Sequence, residues 1–321
     1  MQSTEQDENL APRSFAEPWG GTGHLADFGG PVHWVDFGGP AEGSPIVLVH
    51  GLGGSHLNWV RVAPALAERG RVYALDLPGF GLSTAGRRTA SVQANAAILN
   101  RFVREIAGAP AVLVGNSMGG MVSLLATDAQ PDSVAGLVLV DPSLPVPRQK
   151  PDMQVTSQFL LYAVPFLGQR YMAFSRSRMS DRQLVERVIN LCFADPSKAS
   201  GELMDAATAL AAHRRTMPAQ DAAFLQAARS LMLLLARPKF YQALLNRIEP
   251  PVLLVHGDRD RLVPVAAAQN ALAGNPRWDS AILPGVGHTP QLETPELVLE
   301  HVTSWLDRHE LAVPPTDRKA P

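Results

Sequence analysis

Ser117 stands in Gly115-Asn116-Ser117-Met118-Gly119, with glycine two residues before it and two after. The apolar run Val112–Val114 leading into it reads as a strand, and Met118–Ala126 resumes with helical spacing. A serine at such a strand-to-helix reversal is forced into strained backbone angles and crowded by its neighbours. Glycines on both sides relieve the crowding, and the hydroxyl is held out above the sheet as a nucleophile. The helix that follows points free N–H groups at charge developing beside the serine. The plainer alternative is a serine that only caps the helix after a glycine turn.

A serine hydroxyl attacks a carbonyl only when a base removes its proton. Of nine histidines, His288 in "LPGVGHTPQLETPE" is the best placed, because it follows a short strand and sits in a glycine-loosened loop. It also comes last in the order serine, acid, histidine that sheet enzymes of this kind use. His50 and His256 each end a strand before glycine and could lie nearby, whereas His24, His33, His213, His301 and His309 read as edge or helix-face residues. The acid that orients the imidazole should come from "HGDRDRLVP". Asp260 ranks first, Asp258 second, and Asp141 at the end of the preceding strand third. The oxyanion needs two N–H donors: Met118, directly after the nucleophile, and Leu52 in "HGLGGSHLNW". Gly51 and Gly53 let that loop approach closely, and with Asn116 they are expected to border the substrate. A glycine-rich loop could instead cradle phosphate, but the Lys-Ser/Thr pair of a phosphate loop is missing. No histidine has partners at zinc-ligand spacing, so neither metal nor cofactor is expected.

Those residues need a frame. Continuous apolar runs at Ile46–Val49, Val72–Leu75, Ala111–Val114, Ala135–Val140 and Val252–Val255 suit strands buried on both faces. Helical segments at Asn58–Glu68, Ser91–Ile106 and Met118–Asp128 lie between them. The alternation predicts an α/β fold, a doubly wound and mostly parallel sheet with ligands at the carboxyl ends of its strands. "HLADFGG" and "HWVDFGG" predict two short edge strands with Gly-Gly turns. The rhythm stops for about a hundred residues after Asp141, where helical patterning between flanking prolines predicts an inserted helical cap. The expected organisation is therefore a disordered tail over 1–22, core over 23–142, cap over 143–247, core over 248–312 and a C-terminal tail over 313–321.

Bulk properties narrow the function. The chain has 321 residues, 46% of them hydrophobic, and a formal net charge of −2, which argues against nucleic acid as a partner. One cysteine, Cys192, excludes an internal disulfide and is expected to be a small apolar core residue. No apolar stretch approaches the ~20 residues of a membrane span, and the polar, acidic N-terminus is unlike a signal peptide. A cytoplasmic protein is expected. Charge is unevenly spread: the segment 143–247 carries fourteen Lys/Arg against seven Asp/Glu, so the remainder is acidic. Solvated helix faces explain most of this. Part of it could draw an anionic substrate or a membrane head group toward the site, with Arg176, Arg178, Arg182, Arg214 and Arg215 the residues to test.

"HGLGGSHLNW", "DLPGFGLS", "GNSMGG", "HGDRDRLVP" and "GVGHTPQLETPE", in this order, resemble the successive motifs of the α/β-hydrolase fold superfamily. The likeness covers the core on both sides of the cap. It implies a catalytic triad of Ser117, Asp260 and His288, with the Gly257-to-Asp260 spacing matching the family's acid position. Haloalkane dehalogenases and epoxide hydrolases of the superfamily carry aspartate where this chain has Ser117, which points away from both. The chemistry implied is hydrolysis of a carboxylic ester, or a related carbonyl compound, with an apolar acyl group. "GNSMGG" is also similar to the same turn of meta-cleavage-product hydrolases, which split C–C bonds. Those enzymes usually show His-Gly-x-Gly-Pro-Gly-Ala in the oxyanion loop and tryptophan after the histidine, where this chain has Gly54-Ser55 and Thr289. A third reading, a non-catalytic binding protein of the same fold, conflicts with an intact triad.

Overall fold

The computed structural model describes residues 14–146, 167–217 and 219–312. Eight strands form one sheet in the order β1-β2-β4-β3-β5-β6-β7-β8. They are β1 (Thr22–Asp27), β2 (Pro31–Asp36), β3 (Ile46–Val49), β4 (Val72–Leu75), β5 (Ala111–Asn116), β6 (Val134–Val140), β7 (Val252–Gly257) and β8 (Asp279–Leu283). β1 pairs antiparallel with β2, and β2 antiparallel with β4; every pairing from β4 to β8 is parallel. The expected sheet is present. β3, β4, β5 and β7 are buried along their whole length, because their unbroken apolar runs have helices on both sides. Alternate residues feed opposite faces: Val47, Leu113 and Leu254 join one core, while Leu48, Val114 and Val255 join the other.

The helices are α1 (Ala63–Leu66), α2 (Val92–Phe102), α3 (Met118–Ala129), α4 (Leu167–Arg178), α5 (Asp181–Cys192), α6 (Gly201–Arg215), α7 (Gln220–Leu235), α8 (Pro238–Asn246), α9 (Val265–Gly274), α10 (Pro290–Glu293) and α11 (Pro295–Arg308). Helices α2, α3, α8 and α9 pack on one face, with α1 and α11 on the other. Helices α4 to α8 all lie between β6 and β7. Their starts are written locally. Ser180 accepts from Gln183 N while the Gln183 side chain accepts from Ser180 N, and Ser200 caps α6 through Leu203 N.

Three expectations are corrected. Residues 14–22 are not a loose tail: Ser14, Phe15 and Ala16 are buried, Ser14 O accepts a 2.5 Å hydrogen bond from His56 Nε2, and β1 begins at Thr22. The helix expected over Asn58–Glu68 is broken into a 3-10 turn at His56–Trp59 and the single turn α1. Pro64 lacks an N–H and its ring blocks the preceding turn, so no continuous helix can cross it. The edge strands begin two residues earlier than "HLADFGG" and "HWVDFGG" suggest, since the Gly-Gly pairs supply left-handed turns, with φ 78° at Gly29 and 76° at Gly38. The other expected tail residues, 1–13 and 313–321, and residues 147–166 of the expected cap lie outside the described residues.

Candidate active site

The sheet order reverses at β3: β4 lies on one side of it and β5 on the other. At that switch point the carboxyl ends of β3 and β5 open a crevice, and Gly51 and Ser117 meet across it. A Cβ added to Gly51 would lie 3.0 Å from Ser117 Cβ. Ser117 has φ 55° and ψ −119°, the strained turn that the glycine spacing predicts. Gly119 has no alternative, because a Cβ there would stand 2.1 Å from the Val49 carbonyl oxygen. At Gly115 it would stand 2.6 Å from the Gly119 oxygen.

His288 Nδ1 lies 2.6 Å from Asp260 Oδ2. Asp260 Oδ1 accepts from Leu262 N and Val263 N at 2.7 and 3.0 Å, which fixes the carboxylate plane. Burial alone would raise the Asp260 pKa, but the facing His288 imidazole and these hydrogen bonds hold it below the ordinary carboxylate value. The other two aspartates serve elsewhere. Asp258 accepts from Gly285 N at 2.6 Å, and Asp141 accepts from Gly257 N at 2.9 Å.

Two buried groups anchor the histidine's loop. His288 N donates to Cys192 O at 2.6 Å, and the Glu293 carboxyl accepts from Gly287 N, Ala194 N and Asp195 N at 2.8, 3.1 and 2.9 Å. Asn116 Nδ2 donates to Val140 O at 3.0 Å and to His288 O at 3.1 Å. Its amide thus ties the serine turn to the histidine loop through both N–H groups, while the residue also borders the cavity.

Ser117 Oγ lies 3.4 Å from Ser143 Oγ, and no hydrogen bond joins Ser117 to His288 in this geometry. Ser143, placed by the sequence at the start of the cap, belongs to the site: its N–H donates to Ser117 O at 3.0 Å, and Tyr241 Oη donates to its carbonyl at 2.6 Å. The loop carrying Leu52 is a turn closed by Gly54 N to Gly51 O at 3.1 Å, with Gly53 at φ 77°. Met118 N–H opens α3, where no carbonyl one turn earlier in the helix can accept it.

Ser117, Asn116, Gly51, Leu52, Gly53 and His288 border one cavity of about 730 Å³. Its other walls come mainly from α4, α5, α6 and α7, and are mostly apolar with arginines among them. Cys192 also borders it, half-buried, its thiol pushed up to about 12 by burial and then by the charges of Asp260 and Asp141. It is no second nucleophile at neutral pH.

Two buried clusters escaped the sequence reading. His33 and His56 both direct Nδ1 to Asp76 Oδ2, at 2.9 and 2.8 Å. Burial would raise Asp76, but the His56 charge and these hydrogen bonds hold it well below the ordinary value. In the second cluster, ligand atoms of Asp141, His256 and Asp260 lie within 4.8 Å of one another. His256 Nε2 donates to Val263 O at 2.9 Å, and its Nδ1 and Asp141 Oδ2 are buried without partners. Each trio offers atoms within reach of one cation, but the short contacts in the first are ordinary hydrogen-bond distances. His50 is also scaffold: Nδ1 donates to Gly51 O at 2.7 Å, Nε2 accepts from Leu77 N at 3.1 Å, and burial lowers its pKa to about 4. Among the described residues no helix is long and apolar enough to cross a membrane.

Residues 46–301 match the model of a family described as the alpha/beta hydrolase family. A relative from Pseudomonas putida, the dihydrolipoyllysine-residue acetyltransferase component of an acetoin cleaving system, is 28% identical over 83% of this chain, which spans 64% of that protein's length. A 2-hydroxy-6-oxo-6-(2'-aminophenyl)hexa-2,4-dienoic acid hydrolase from Metapseudomonas resinovorans is 28% identical over 83% of this chain and 85% of its own. A serine hydrolase structure from the polyaromatic hydrocarbon-degrading bacterium Cycloclasticus zankles superposes with a TM-score of 0.70 and 22% identity, covering 90% of this chain and 98% of its own.

Proposed function

The chain belongs to the alpha/beta hydrolase family, and from that premise we propose that it is a serine hydrolase that cleaves a carboxylic ester through an acyl-enzyme on Ser117. One observation carries the reading: a strained serine borders the same cavity as an imidazole whose far nitrogen is held by a buried carboxylate at 2.6 Å. Rotation about the Ser117 Cα–Cβ bond turns Oγ from Ser143 toward His288 when substrate enters, and such contacts commonly tighten only in the reactive complex. His288 takes the serine proton as Oγ attacks the carbonyl, and Asp260 stabilises the imidazolium. The N–H groups of Leu52 and Met118 receive the oxyanion. His288 then protonates the leaving alcohol and activates the water that frees the acid. Helices α4 to α8 act as a cap whose apolar wall sets acyl preference. The lone cysteine suits a reducing, cytoplasmic setting.

A fluorophosphonate probe and a panel of p-nitrophenyl esters test this. Ser117→Ala should abolish labelling and lower kcat by about 10⁴-fold or more, and Asp260→Asn should lower kcat by about 10⁴-fold. Undiminished turnover in Ser117→Ala would refute the mechanism. The dienoic acid hydrolase among the relatives makes a ring-fission dienoate the comparison substrate, and faster cleavage of it than of any ester would move the reading to C–C hydrolysis.

A further inference from the structure

Most arginines bordering the cavity are occupied. Arg215 pairs with Asp181 at 2.5 Å, Arg176 pairs with Asp221 at 2.5 Å, and Arg187 is bound to the Tyr171 hydroxyl. Arg214 differs. It lies in the last turn of α6, where an arginine ordinarily points to water, yet it is half-buried and borders the cavity. Its Nη2 donates to Gln220 Oε1 at 2.7 Å and to Gly79 O at 3.4 Å, and among the described residues no carboxylate forms an ion pair with it. Gln220 is itself buried, so the bond that aims the guanidinium is fixed. Burial lowers the Arg214 pKa to about 10, which leaves the group charged at neutral pH. The charges of Asp76 and Asp221 favour this cation only from beyond contact, so its burial is only partly offset, and a ligand that brings a carboxylate into contact recovers more of the cost.

We propose that Arg214 is an anion anchor, and that the cavity takes acyl chains ending in a carboxylate which docks on its guanidinium while the ester carbonyl lies at Ser117. The proposal rests on the ester-hydrolase reading above. Gly79 follows β4, and β4 lies two strands from β5 in the sheet. Two strand spacings are roughly 10 Å, a length suited to the half-ester of a medium-chain dicarboxylic acid. The cavity between the two ends is mostly apolar, as the methylene chain requires. A guanidinium presents paired N–H donors to a carboxylate, which an ammonium cannot reproduce.

The test compares p-nitrophenyl half-esters of linear dicarboxylic acids, from adipate to sebacate, with the same esters methyl-capped at the far end. The readout is the ratio of kcat/KM between each acid and its capped partner. Arg214→Gln should lower that ratio by about ten- to a hundredfold, the range for losing a hydrogen bond to a charged group. Arg214→Lys should keep part of it, and the same ratio in all three proteins would overturn the proposal. A binding arm is independent of the serine chemistry: calorimetry of suberate with Ser117→Ala against the Ser117→Ala, Arg214→Gln double variant. Weaker binding by the double variant supports the anchor even where fluorophosphonate labelling of Ser117 fails. Equal binding sinks it even where ester hydrolysis stands.

Discussion

Asp141 and Asp260 end neighbouring strands and are both buried, but their surroundings drive their ionisation in opposite directions. Asp260 faces the His288 imidazole and accepts from two backbone N–H groups. Asp141 has one backbone donor, and burial followed by the Asp260 charge raises its pKa well above the ordinary 3.8. A carboxyl raised in the folded state contributes fully below its unfolded pKa, and that contribution is lost as pH climbs through the folded value. Asparagine cannot ionise, yet it still offers an oxygen to Gly257 N. Asp141→Asn should therefore gain stability relative to the parent as pH rises above the ordinary carboxylate range. Thermal melts over that rise check it; a constant difference would show that Asp141 does not titrate there. His50 works at the acid end. Its pKa is depressed to about 4, so its contribution is present above 6.5 and lost as pH falls toward 4. The strained turn at Ser117 and the pairing of Asp260 with His288 were legible in the sequence because each residue sits at a fixed offset from a glycine or a strand end. Asp141 and the inward turn of Arg214 were not, because their environments are made by distant segments.

Among elements, the serine turn is the tightest junction. Its helix α3 packs so closely on β3 that Gly119 has the Val49 carbonyl where a methyl would be. Gly119→Ala must push backbone against backbone, and should cost about 1–3 kcal/mol or more in urea unfolding while slowing labelling of Ser117. An unchanged midpoint would mean the strand and helix have room to separate. The strands of the sheet centre were readable because only a residue pattern apolar on both faces survives between two helical layers. Their ends were less so: β5 runs on through Gly115 and Asn116, which the apolar run alone did not include. The N-terminal segment misled for a physical reason. Its composition is polar, yet Ser14, Phe15 and Ala16 are buried against His56 and the neighbouring core.

Across the whole molecule, charge divides along the insertion. The segment 143–247 has a surplus of seven positive charges, and the rest has 14 Lys/Arg (28 minus 14) against 23 Asp/Glu (30 minus 7). The structure refines the residues suspected of steering. Arg176, Arg182 and Arg215 are each engaged with a carboxylate, and Arg178 lies over the Phe174 ring at 5.5 Å. We propose that the remaining surplus draws anions toward the mouth. For a carboxylate-bearing ester, kcat/KM should fall several-fold as ionic strength rises from about 0.01 to about 0.15 M, while the screening length shrinks from about 30 to about 8 Å. A flat profile would remove steering from the account.

Glu293 has a mechanical meaning as well. It stitches the loop of the imidazole to the residues just beyond α5, and His288 N holds the last carbonyl of that helix. Because Asn116 fastens the same loop to the serine turn and Asp260 grips the imidazole, base and nucleophile keep their register while the end of α5 is clamped over them.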